Sequence, residues 1–167
     1  MTSIIVKISE RGVGILSYIF PFIEVSYFFG SKVFLSTENI SLKYFYAKYI
    51  AKLADLYATN TYLIFALMVG IFLICSRGTL PLTKFVRFNV IQAILVNIIC
   101  SCIGSIFAFL PLILRESVIG ILLANFIYLG VIGLIIYASF MITFGRYPKI
   151  PVLSEAAKLQ VQRGYSD

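Results

Sequence analysis

Apolar residues fall in four blocks along the chain, parted by short polar breaks, and each block is close to the length of a membrane-crossing helix. The third block is the most informative. Residues 88–110 run for 23 positions without a charge. As a helix rising about 1.5 Å per residue, that is about 34 Å, enough for a hydrocarbon core of about 30 Å. Yet Asn89, Gln92 and Asn97 stand inside it. At about 100° per residue, Asn89, Ala93, Asn97, Cys100, Gly104 and Ala108 share one face, with Ile91, Leu95, Ile98, Ile99 and Phe109 opposite. A membrane helix with such a stripe packs it on protein or lines water with it.

The same pattern predicts the other elements. After a polar lead (1–11), residues 12–29 form a first span containing Pro21 and Glu24. Pro21 removes a backbone donor and kinks a helix. An ionisable group inside a span costs about 2.5 kcal/mol or more. Either Glu24 is paired, protonated or facing water within the span, or the helix ends early and leaves it at the interface. Residues 31–39 read as loop. Residues 41–58 read as an amphipathic helix, with Lys48 and Lys52 on a basic face and Tyr and Leu over the rest; it lies in the membrane interface, packs on the bundle or docks in a soluble partner's groove. Residues 58–76 form the second span, ended by Gly78 and Pro81. Residues 86–110 form the third. Residues 117–144 form the fourth, whose 28 uncharged positions are long enough to tilt. Residues 145–167 read as a C-terminal tail with two prolines and a short helix. The expected architecture is an all-α membrane protein: one domain, 12–144, of four transmembrane helices plus one interfacial amphipathic helix.

Composition strengthens the membrane reading. The 167 residues are 60% hydrophobic and 13% charged, with mean hydropathy +0.99, whereas soluble domains are about 25% charged. The net charge of +7 would suggest nucleic acid in a soluble protein. Here basic residues sit beside anionic lipid and set topology, so no nucleic-acid partner is expected. With four spans, Lys7, Arg11, Arg77, Lys84, Arg87, Arg146, Lys149, Lys158 and Arg163 lie on the side of both termini. Lys32, Lys43, Lys48, Lys52 and Arg115 lie opposite. That excess places the termini in the compartment of synthesis. The opening residues have neither the uninterrupted apolar run of a signal peptide nor the composition of a transit peptide. The protein is expected to be made where it works.

Catalytic and metal-binding patterns are missing. There is no His, the three cysteines fall in apolar runs, and no nucleophile or phosphate-binding motif appears. Glu24 is the lone acid well inside a span, and one carboxylate with amides makes no acid–base pair. No enzyme activity, cofactor or metal is expected. The stripe is then either the contact between helices or the wall of a passage. Its candidates are Glu24, Asn89, Gln92 and Asn97, with Arg87 at the mouth.

One stretch resembles a known family. FVRFNVIQAILVNI (85–98) is similar to the hallmark of the Tic-twenty (Tic20) family, subunits of the protein-import translocon at the chloroplast inner envelope. LSYIFPFIEVSYFFG (16–30) is similar to its first span and FGRYPKIPVLSEAAKLQV (144–161) to its tail. Arg87, Phe88, Asn89, Gln92 and Ala93 occupy the motif positions, while Asn97 stands where many members carry an acid. The resemblance implies four helices with stromal termini, in a core subunit that contributes to a polypeptide-conducting channel. Implied partners are other inner-envelope translocon subunits, unfolded precursor polypeptides and the lipid bilayer, in an oligomer or larger complex. It resembles plastid-encoded algal members or their cyanobacterial relatives. The alternatives are a small-solute or ion carrier and a membrane assembly scaffold without its own passage.

Overall fold

The computed structural model describes residues 2–163, with side chains from Lys7 to Gln162; the side chain of Arg163 and residues 164–167 lie outside the described residues. Within them the chain is all-helical, without a strand. Helix α1 (Thr2–Leu16) already covers the polar lead. It breaks at Ser17 and Tyr18 and resumes as α2 (Ile19–Val25). Pro21 explains the break: it stands in the first turn of α2, where its missing N–H has no helical partner to lose. A wider π-type turn (Ser26–Gly30) leads into α3 (Ser31–Ser36). The stretch 31–36, read from the sequence as loop, is thus helical, because SKVFLS holds no breaker before the extended Thr37.

Asn39 caps the next helix, its side chain accepting from the amides of Ser41 and Leu42. Helix α4 (Ile40–Phe45), a π-type turn (Tyr46–Ile50) and α5 (Ala51–Thr59) follow as one rod. At Asn60 the rod turns by 83° into α6 (Thr61–Arg77). Side chains satisfy the carbonyls freed at the corner: Asn60 Nδ2 donates to Leu56 O (2.9 Å) and Thr61 Oγ1 to Tyr57 O (3.1 Å). Thr83 and Ser117 cap α7 (Lys84–Phe109) and α9 (Val118–Thr143), with α8 (Leu112–Arg115) between them. Helix α10 (Leu153–Arg163) ends the described chain.

Among the described residues, three helical stretches are long and apolar enough to cross a membrane: Lys7–Ser36, Lys84–Phe109 and Val118–Thr143. A fourth exists if the bent pair Ile40–Thr59 and Thr61–Arg77 counts as one span. Helix α6 has 17 residues, about 25 Å at 1.5 Å per residue, short of the core on its own.

Helix α7 is the axis of the bundle. Every residue from Val86 to Ile94 is buried. Ile91, on the face opposite the polar stripe, is buried because α10 covers it: Ala157 and Val161 pack with Val86, Phe88 and Ile91. Beyond Asn97, α7 buries Cys100, Gly104 and Phe107, while Ile98, Ile99 and Ile106 are exposed. There Gly104 lets the Phe28 ring close in; a Cβ at this glycine would lie 2.3 Å from that ring. Helix α9 is peripheral and buries only Gly120, Ala124, Tyr128, Ala138 and Ile142.

Candidate functional site

The first turn of α7 sets Arg87 against the end of α6. Its Nε donates to Cys75 O (2.6 Å) and its Nη2 to Ser76 O (2.9 Å). Helix ends leave carbonyls unpaired and carry partial negative charge, so a buried guanidinium is well matched there. Gly78 ends α6 in the left-handed conformation (φ 69°), and a Cβ on it would meet Arg87 Nη1 at 3.0 Å. The device recurs at α9. Arg11 Nη1 donates to Thr143 O (3.0 Å), and Gly145 (φ 69°) lies over the guanidinium.

One turn further, Asn89 Nδ2 returns to its own helix at Phe85 O (2.8 Å), while Oδ1 is buried without a partner. Gln92 does the opposite and reaches across the fold. Tyr18, placed by the break in the first span, donates its hydroxyl to Gln92 Oε1 (3.1 Å). Gln92 Nε2 donates to Ser154 Oγ (2.9 Å) and to Pro148 O (3.3 Å). Residues 145–167, read from the sequence as a tail, therefore do not trail away from the bundle along their described part. The non-helical stretch 146–150 runs back between α7 and α9. Pro148 and Ile150 are buried and Lys149 is exposed. Ile150 packs on Val96 and Cys100, about 18–24 Å along α7 at 1.5 Å per residue, which is its middle. Non-helical backbone at membrane depth is tolerated only when protein satisfies it. Here Gln92 and Ser154 serve Pro148 O, Ser154 Oγ accepts from Ile150 N (2.6 Å), and Tyr137 Oη accepts from Lys149 N (3.3 Å).

Deeper still, Glu24 lies beside Asn97 and Ser101 across the contact of α2 with α7. Glu24 Oε2 and both amide atoms of Asn97 lack a hydrogen-bond partner of good geometry. Arg87, Asn89, Gln92, Asn97 and Glu24 are each at most 1% exposed. All five are thus enclosed within one copy of the chain, but apart from one another: Arg87 in the α6 cap, Gln92 in the slot, Glu24 with Asn97 at one contact, and Asn89 turned back on its own helix.

A family model described as "Chloroplast import apparatus Tic20-like" matches residues 9–157. The chain belongs to the Tic20 family. Relatives named "Tic20 family protein Ycf60" are 31% identical over 154 residues in Cyanidium caldarium (92% of this chain, 74% of the relative) and 32% identical over 157 residues in Cyanidioschyzon merolae (94% and 78%). A "Tic20 family protein" of Synechocystis is 29% identical over 154 residues (92% and 93%). No solved structure matches the chain. Tic20 membership, joined to the apolar helices, makes this a membrane protein of a plastid or cyanobacterium. It points to a role in protein import within a translocon complex, and to a family of translocon components rather than enzymes.

The match reaches past Ser154, so the Tic20-like region includes the slot and the segment filling it. Tyr18, Tyr137, Pro148 and Ser154 were not legible as site residues in the sequence. Each looks ordinary where it stands, and only the paired prolines hinted that 146–151 is extended. Lys48 and Lys52 are exposed on the rod before the 83° corner. Lys48 Nζ lies 5.6 Å and 5.1 Å from the ring centroids of Tyr44 and Tyr49.

Proposed function

We propose that this chain is a core subunit of the protein-import translocon of the plastid inner envelope, and contributes with partner subunits to a path for unfolded precursors. The match of residues 9–157 to the import-apparatus family carries this reading. In it, the corner at Asn60 joins an interfacial rod, Ile40–Thr59, to the second of four spans, and both termini are stromal. The ends of α6 and α9 then face the stroma, where their αL glycines sit over Arg87 and Arg11. Lys48 and Lys52 lie on the opposite surface, against lipid headgroups. Because Arg87, Asn89, Gln92 and Asn97 of α7 are enclosed in one copy, the path is formed between this subunit and its partners, or by an opening of the slot.

The same burial favours a second reading, an assembly scaffold that never touches the substrate. Photo-crosslinking separates the two. A photoreactive residue is placed at Val96 in the slot, and another at lipid-facing Phe126 as control. A precursor arrested in transit should give adducts at Val96 where the slot opens, or at a further probe on the exposed Ile98 of α7 where the path lies between subunits, and none at Phe126. Adducts confined to other subunits of the complex would replace the path reading by the scaffold.

A further inference from the structure

We propose that the slot between α7 and α9 is a binding site for extended polypeptide main chain, and that residues 146–152 of this chain fill it at rest. The proposal rests on the translocon reading above. Its basis is the way the segment is held. The hydrogen bonds that Gln92 and Tyr137 make to it go to main chain, at Pro148 O and Lys149 N. A glutamine amide and a tyrosine hydroxyl can each donate and accept, so they serve a backbone of any sequence. The side chains alternate as in a strand: Pro148 and Ile150 point inward and Lys149 outward. The wall that receives Ile150 is apolar and unspecific, built from Val96, Cys100, Val131 and Leu134. An unfolded chain in a bilayer needs its backbone polar groups satisfied while its side chains vary, and this slot meets that requirement.

The resident segment is also built to leave. It starts at Gly145, which holds a left-handed conformation (φ 69°). It ends at Val152, a β-branched residue at φ 66°, closed by a tight turn in which Leu153 N donates to Pro151 O (2.7 Å). Such a conformation is strained for valine, and Val152 is 78% exposed, so no packing compensates it. Release relaxes the turn. The far wall, α9, buries only five of its residues and has little packing to lose if it swings outward.

Ile150 and the native Cys100 share a cluster, which supplies a reversible lock. Ile150→Cys is combined with Cys75→Ser and Cys102→Ser in the membrane-embedded complex. Oxidation should join residues 150 and 100, and precursor transit should fall at least tenfold and return on reduction. The same chain with Cys100→Ser should transit precursor regardless of oxidant. Equal transit by the oxidised and reduced forms would overturn the proposal and leave the translocon reading standing. Absence of transit in every form, the unaltered chain included, would overturn the translocon reading and the proposal with it. A photoreactive residue at Val96 tests the exchange without the disulfide. Adducts to residues 146–152 at rest should give way to precursor adducts during transit. Tail adducts that persist unchanged while precursor crosses would show a fixed strap and overturn the proposal.

Discussion

Gln92 and Asn97 stand on one helix, both fully buried, and hydrogen bonding gives them opposite weights. Gln92 joins Tyr18, Pro148 and Ser154, whereas the Asn97 amide lies against Glu24 and makes no hydrogen bond of good geometry. Removing one partner of a buried hydrogen bond costs about 1–3 kcal/mol, and removing an unsatisfied group costs nothing of that kind. Gln92→Leu is expected to destabilise the protein by about 2 kcal/mol. It should also speed trypsin cleavage after Lys149, because the slot loosens. Asn97→Leu is expected to stay within about 1 kcal/mol of the natural chain, or to exceed it. Unfolding midpoints in detergent, with a proteolysis time course, check the pair; equal destabilisation would contradict the assignment. Arg87 adds a second case at this scale. Arg87→Leu strands the carbonyls of Cys75 and Ser76 and should cost about 3 kcal/mol, since bonds to charged groups contribute about 1.5–3 kcal/mol each. Arg87→Lys keeps the charge but loses the fork that reaches two carbonyls, so its midpoint should fall between.

At the scale of elements, the 83° corner at Asn60 decides what the rod Ile40–Thr59 can be. Under the proposed topology, in which α6 crosses the membrane, a helix turned that far from it lies nearly along the surface. Its outward residues include Tyr44, Phe45, Tyr49, Leu53 and Leu56 with Lys48 and Lys52. The protein contains no Trp, so Tyr49→Trp makes a single fluorophore on this rod. In anionic vesicles its emission should be quenched by bromine placed near the headgroups and not at the bilayer centre. Adding Lys48→Glu and Lys52→Glu should weaken shallow quenching, since each lysine near an anionic surface contributes about 1 kcal/mol. High salt should erase the difference. Quenching at the bilayer centre would mean instead that the rod is the outer half of a crossing.

At the scale of the whole molecule, one copy encloses Glu24, Arg87, Asn89, Gln92 and Asn97. With the native cysteines replaced by serine, Asn97→Cys should react with a water-soluble maleimide at least ~10-fold more slowly than Lys48→Cys, because labelling a buried site requires local opening. Fast labelling at 97 would show a wet path inside a single copy. The sequence by itself determined the membrane class, the long apolar helices and the family resemblance. A bilayer imposes length and lack of charge on each crossing segment separately, and that requirement is written in consecutive residues. It also singled out Arg87, Asn89, Gln92, Asn97 and Glu24 as positions that need an explanation. Their partners were decided by the tertiary structure. Gln92 meets Tyr18, Pro148 and Ser154 across 74, 56 and 62 residues of chain, and no local periodicity encodes such meetings. Helix α7 was legible as having one apolar and one polar face, yet α10 and the stretch 146–150 cover it on further sides. Which surfaces a short amphipathic segment covers depends on the shape of the groove that the other helices leave, and that groove exists only once they have packed.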